Sequence, residues 1–134
     1  MSEDDLNTIV DRQPQENVLP ERIKNVGFIY SSDRAILVNL LNIMDEICLS
    51  SPDKPMFIKR SFVLDFTADI NANYLVQKVA ETNSIAIIAA GVFPQEKIYE
   101  MGTVFNSAGI LFKNITADTN KSEIIDFMLE LVIR

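Results

Sequence analysis

Apolar residues occur in short runs that alternate with longer stretches in which they recur every three or four positions. The run from Val26 to Tyr30 is typical of a β-strand. The apolar positions that follow share one side of a helix of about four turns. They are Leu37, Leu40, Leu41, Met44, Ile47 and Cys48. This part of the chain therefore predicts a strand that leads into a helix.

A second strand and helix are predicted between residues 56 and 80. The apolar pieces 56–58 and 62–66 indicate one strand or two, because Lys59 and Arg60 separate them. The polar residues of segment 67–69 are typical of a helix start. A shorter amphipathic helix, with Leu75 on its apolar side, is expected after them.

Two further units complete the chain. Residues 84–90 contain no polar alternation, which is typical of a central strand that is covered on both faces. Pro94 favours the start of a helix, and residues 109–112 predict the next strand. Asn120 and Glu123 form a capping-box pattern before a final helix from about residue 121 to the end. Strand and helix thus alternate four times.

Such alternation with short connections predicts a flavodoxin-like, doubly wound α/β fold. We expect a mostly parallel sheet of four or five strands with helices on both faces. The length of 134 residues suits one domain, which we place at residues 23–134. Residues 1–22 are polar and predict a mobile N-terminal tail. This tail holds six acidic residues and two arginines, so it carries more than half of the formal net charge of −7.

Composition excludes several classes of function. The negative net charge argues against nucleic acid or an anionic membrane as partner, because lysine and arginine drive phosphate binding. The chain has no histidine, and Cys48 is its one cysteine, so we predict no metal site and no cofactor. Residues 1–5 lack the basic and apolar regions of a secretory signal, and we expect a cytoplasmic protein.

Candidate functional residues follow the strands, because ligands of open α/β sheets bind at the carboxyl ends. An acid after one strand, small residues after the next and a lysine after the last resemble the receiver domain of bacterial response regulators, over residues 26–134. In that family an aspartate accepts a phosphoryl group, an acid pair binds Mg²⁺, a hydroxyl residue senses the phosphate and a lysine contacts it. Asp65, in the run Phe-Val-Leu-Asp-Phe, matches the acceptor, and Lys113 matches the lysine.

The other family positions carry different residues here. The acid pair would fall on Ser31 and Ser32, the hydroxyl residue on Ala90 and a conserved proline on Asn114, while Asp33 could supply one metal ligand. Mg²⁺ needs hard oxygen ligands in near-octahedral geometry, so these positions hold it poorly. The resemblance therefore implies a pseudo-receiver, a signalling module that acts through protein–protein interaction, is not an enzyme and is not phosphorylated in the usual Mg²⁺-dependent way.

Other interpretations stay open at this point. Asp65 could still be a phosphoacceptor in a two-component response regulator. The strands around Asp65 and Gly91 are also similar to those of anti-sigma-factor antagonists. A small ligand could bind at the strand ends, although no glycine-rich phosphate loop is present. Finally, Asp65 could simply cap a helix, Lys113 could simply be solvated, and Cys48 could be apolar filler.

The final helix predicts a partner. It has one narrow polar stripe, and its remaining surface is more apolar than one sheet face can cover. We therefore expect a homodimer or another protein contact through this helix. The candidate interface residues are Ile125, Phe127, Met128, Leu129 and Ile133.

Overall fold

The computed structural model describes residues 18–31, 34–50, 56–66 and 71–133. A 3₁₀ turn, Pro20–Arg22, precedes the first strand. The strands and helices then alternate in the order β1 (Ile23–Tyr30), α1 (Arg34–Leu49), β2 (Phe57–Asp65), α2 (Ala72–Thr82), β3 (Ala86–Ala90), α3 (Gln95–Ser107), β4 (Leu111–Ile115) and α4 (Lys121–Val132). The predicted alternation of strand and helix is confirmed.

The strands form one sheet in the order β2-β1-β3-β4, and every neighbouring pair is parallel. β3 lies inside the sheet, and all five of its residues are buried. This burial confirms that residues without polar alternation form a central strand. β2 and β4 are the two outermost strands of the described sheet.

The stretch between residues 56 and 66 is one strand, which answers the question that the sequence left open. Its register against β1 shifts between Val26 and Gly27, where Ser61 is the extra residue on β2. Such a bulge lets Arg60 and Phe62 point to opposite faces without ending the strand. A Cβ atom at Gly27 would lie 2.1 Å from the Phe62 ring, so glycine is what admits this ring.

The helices divide between the two faces of the sheet. α1 and α4 cover one face, with Phe28, Ile58 and Ile88 in the core beneath them. α2 and α3 cover the other face, over Ile29, Ile87 and neighbouring apolar residues. A parallel sheet with helices on both sides is the doubly wound architecture, and the predicted fold class is confirmed.

Asparagine residues mark three helix ends, two through their side chains and one through its backbone. Asn71 Oδ1 accepts a hydrogen bond from the Tyr74 amide at 2.9 Å, and Asn120 Oδ1 accepts one from the Glu123 amide at the same distance. The predicted cap at Asn120 is thus confirmed. The predicted start of α2 at residues 67–69 lies outside the described residues. Asn83 ends α2 in the left-handed region, at φ 54°.

β1 begins at Ile23, and the 3₁₀ turn Pro20–Arg22 lies within the predicted tail of residues 1–22. Residues 1–17 lie outside the described part of the chain. Within the ranges that are described, no helix is long and apolar enough to span a bilayer.

Candidate functional site

The carboxyl edge of the sheet is where the predicted pocket should lie. In the register of the strands, Tyr30 is level with Asp65 on one side and with Ala90 on the other. Ser31 follows directly, and its amide donates to the Ala90 carbonyl oxygen at 3.4 Å. Ser31, Asp65 and Ala90 therefore lie along this edge, as predicted. Ser32 and Asp33 lie outside the described residues.

Asp65 and Lys113 do not share a pocket, and the expectation that they converge is wrong. Asp65 ends β2 and Lys113 lies in β4, so β1 and β3 separate them. Three strand spacings of roughly 4.8 Å place the two strands about 14 Å apart. Lys113 also pairs with Ile88, two residues before the end of β3. The lysine is therefore set back from the edge as well as displaced along it.

The centre of the carboxyl edge is closed by contacts within the protein. Gly91 has φ +124°, and a Cβ atom there would lie 2.5 Å from Ser31 Oγ. Asn114 Nδ2 donates to the Ala89 carbonyl at 2.8 Å and to the Gly91 carbonyl at 3.1 Å. Asn114 thus holds the turn after β3 in place. Among the described residues, the Asn114 amide thus satisfies carbonyl groups at the end of β3 and in the turn that follows.

Aromatic packing closes the neighbouring part of the edge. The rings of Phe66 and Phe93 meet edge to face, with their centroids 5.1 Å apart.

On the other face of the sheet, a cavity of about 310 Å³ lies between the N-terminal parts of α1 and α4, and its polar lining is Asn39, Thr116 and Thr119. Among the described residues, no group of three Cys, Asp or Glu side chains could hold a metal ion together.

The last helix divides into a buried side and an exposed side. Ile124, Phe127, Met128 and Leu131 pack into the core. The prediction that Phe127 and Met128 belong to an interface is therefore wrong, because at 3.6 residues per turn they face the sheet. The predicted interface residues Ile125, Leu129 and Ile133 are 36%, 59% and 84% exposed.

A groove opens beside this exposed side of α4. Its volume is about 200 Å³, and it lies between α4 and the C-terminal part of α1. Its lining is apolar except for Arg22. The lining residues are Arg22, Ile47, Cys48, Met56, Ile125, Met128, Leu129 and Val132.

Cys48 lies at the wall of this groove, with 8% of its surface exposed. Its burial raises the pKa of the thiol from 9.0 to about 11, and the carboxylate of Asp45 acts in the same direction. A protonated thiol is a weak nucleophile at neutral pH. Cys48 is thus apolar filler in the core stripe of α1, as the pattern indicated.

Sequence reasoning missed the buried ion pair between Asp45 and Arg60. Arg60 Nη2 donates to Asp45 Oδ1 at 2.5 Å. The side chain of Arg60 is fully buried, and that of Asp45 is 9% exposed. Arg60 Nη1 donates to the Ile58 carbonyl at 2.6 Å. An acid within the apolar stripe of α1 and a base within an apolar strand were the signals, since charged residues are rarely buried unless they are paired.

Comparison with protein-family models and with curated proteins finds no match for this chain.

Proposed function

We propose that this protein is a non-enzymatic regulatory module that acts by binding another protein chain, in the first place a second copy of itself, through the exposed side of α4. The observation that carries the proposal is the exposure of Leu129 and Ile133, at 59% and 84%, next to the partly exposed Ile125. Large apolar side chains grouped on one surface are typical of protein interaction sites.

The spacing of this surface suits a symmetric pair. Ile125, Leu129 and Ile133 recur every four residues and so lie along one side of the helix. Two copies of α4 can pack antiparallel with the two-fold axis at the level of residue 127 along the helix. Ile125 of each copy then meets Leu129 of the other. A two-fold interface requires such self-complementarity. The same arrangement brings Lys121 of one helix to the acidic C-terminal half of the other, where Glu130 lies.

The contact must extend beyond one helix, because a stable interface buries roughly 800 Å² on each partner. Leu49, which is 62% exposed, supplies the extension. α1 and α4 both run from the carboxyl edge of the sheet to its amino edge on the same face. Their C-terminal ends therefore lie at the same end of the molecule, and we propose that Leu49 extends the surface formed by Leu129 and Ile133.

The carboxyl edge supports a role without phosphoryl transfer. Phosphoryl transfer depends on groups that gather around the transferred phosphate and neutralise its charge. Lys113 is too far from Asp65 to do so, and Asn114 supports a turn instead. The proposal accordingly keeps the signalling character of the receiver-like sequence and locates its activity at α4.

Sedimentation velocity across a concentration series tests the proposal. We expect reversible dimers in the wild-type chain and monomers in Leu129→Gln/Ile133→Gln. The matched control is Val92→Gln/Tyr99→Gln, which changes two side chains that are 77% and 78% exposed elsewhere on the molecule. Equal loss of association in both variants, or a wild-type chain that stays monomeric up to sub-millimolar concentration, would contradict the proposal.

A further inference from the structure

The groove between α1 and α4 opens next to the start of the described chain. Arg22 lines it, and Val18, the first described residue, is four residues earlier. Consecutive residues span at most about 3.6 Å each, so Val18 lies within about 14 Å of Arg22. Leu19, between them, is 56% exposed. Residues 1–17 therefore join the molecule beside an apolar groove.

The sequence of residues 1–17 complements this groove. Leu6, Ile9 and Val10 are spaced as i, i+3 and i+4, which would place them on one side of a helical turn. The groove offers aliphatic and thioether side chains to such a turn. The side chains of the segment carry five acids against one arginine, and the charged residue of the groove is Arg22. The apolar side chains of the segment thus match the apolar lining of the groove.

The chain between Val10 and Arg22 is long enough to reach the whole groove. It is also short enough to favour binding of the attached segment over binding of a separate chain. Val10 precedes Arg22 by twelve residues, which reach up to about 40 Å when extended. α4 itself is only about 18 Å long at 1.5 Å per residue. A short tether gives an effective concentration in the millimolar range. A second copy therefore has to displace the segment before it can bind the same surface, and its binding is favoured as its concentration rises.

We infer that residues 1–17 dock in the groove through Leu6, Ile9 and Val10 and thereby cover Ile125 and Leu129. The segment then acts as an internal competitor of the partner that binds α4. This regulatory role rests on the proposed function, whereas the docking itself does not. Any partner that binds α4 must displace the segment, and sequence changes in the segment set how readily this occurs.

Disulfide trapping in the full chain tests the docking, because Cys48 is a natural probe in the groove wall. Single variants Leu6→Cys, Ile9→Cys and Val10→Cys are oxidised with diamide at low micromolar concentration, and Asn7→Cys and Gln13→Cys are the matched controls. Diamide takes up the two hydrogens that the thiols lose. We expect intramolecular disulfides to Cys48 to form several-fold faster from the three apolar positions, as measured by intact mass and peptide mapping.

Similar rates from all five positions, or disulfide-linked dimers in place of intramolecular products, would overturn the inference. A second measurement uses the full-chain variant Leu6→Ser/Ile9→Ser/Val10→Ser, with Asn7→Ser/Thr8→Ser/Gln13→Ser as its control. We expect the first to speed alkylation of Cys48 several-fold and to strengthen self-association, and the second to do neither. Trapping in the cysteine variants together with no association of Leu6→Ser/Ile9→Ser/Val10→Ser would support docking and contradict the proposed function, whereas association without trapping would overturn the docking alone.

Discussion

The buried ion pair between α1 and β2 gives the sharpest test of the energetics of this fold. Arg60 has a fully buried side chain, and its guanidinium binds Asp45, donates to the Ile58 carbonyl and lies 5.3 Å from the centre of the Phe57 ring. Arg60 Nε has no hydrogen-bond partner among the described residues. Removing Asp45 leaves the guanidinium without this carboxylate in a region that water does not reach, and removing Arg60 takes the arginine away from a carboxylate whose side chain is only 9% exposed.

The expected cost follows from this burial. Breaking a buried pair from one side costs about 3–5 kcal/mol, because the remaining charge stays uncompensated. That is a large share of the roughly 5–15 kcal/mol that stabilises a domain. We expect this loss in Arg60→Met and in Asp45→Leu. The double variant should lie within about 2 kcal/mol of the wild type, because two apolar side chains of similar volume replace the pair without a stranded charge.

Urea unfolding followed by far-UV circular dichroism measures these free energies, since the chain has no tryptophan for fluorescence. The control is Lys97→Met, which removes a surface ion pair with Glu100 at 3.7 Å. An exposed pair contributes about 1 kcal/mol or less. If Arg60→Met costs no more than Lys97→Met, or if the two single effects simply add in the double variant, the reasoning about the stranded charge is wrong.

Three further predictions concern single positions. Gly27→Ala should lower the free energy of unfolding in urea by about 1–3 kcal/mol, because its Cβ would overlap the Phe62 ring, and a loss below the error of measurement would contradict this packing. The pKa of Cys48 is higher in the folded protein than in the unfolded chain, so its contribution to the free energy of unfolding should be fully present below pH 9. That free energy should fall by on the order of 2 kcal/mol as the pH rises from 9 towards about 11, because the unfolded chain then loses the thiol proton and the folded protein keeps it. Cys48→Ala should lack this dependence on pH. Incubation with acetyl phosphate and Mg²⁺ should leave the intact mass unchanged, and a mass gain that disappears in Asp65→Asn would revive the phosphoacceptor interpretation.

The sequence predicted the elements because their signals are local. The apolar stripe of α1, the unbroken apolar run of β3 and the cap at Asn120 each lie within a few neighbouring residues. Alternation of strand and helix then restricts the topology to a parallel sheet with crossover helices. The fold class and the buried side of α1 could therefore be predicted from patterns.

The candidate site could be predicted only in part, because it depends on which strands are neighbours. Asp65 and Lys113 both follow the expected pattern along the chain, but β2 lies at one edge of the sheet and β4 at the other. In the same way, periodicity marked α4 as too apolar without showing that Phe127 faces the core and Ile133 faces solvent. Which side of a helix meets the sheet is set by packing against α1 and the strands, not by the helix itself.

The sequence by itself determined the strands, the helices, their order and an excess of apolar surface on the last helix, since these follow from the spacing of neighbouring residues. Only the tertiary structure decided the order of the strands in the sheet, the pairing of Asp45 with Arg60 and the location of the exposed apolar surface. These features join residues that are distant along the chain. Their positions depend on how all strands and helices pack together in the folded domain, and the spacing of neighbouring residues does not contain this information.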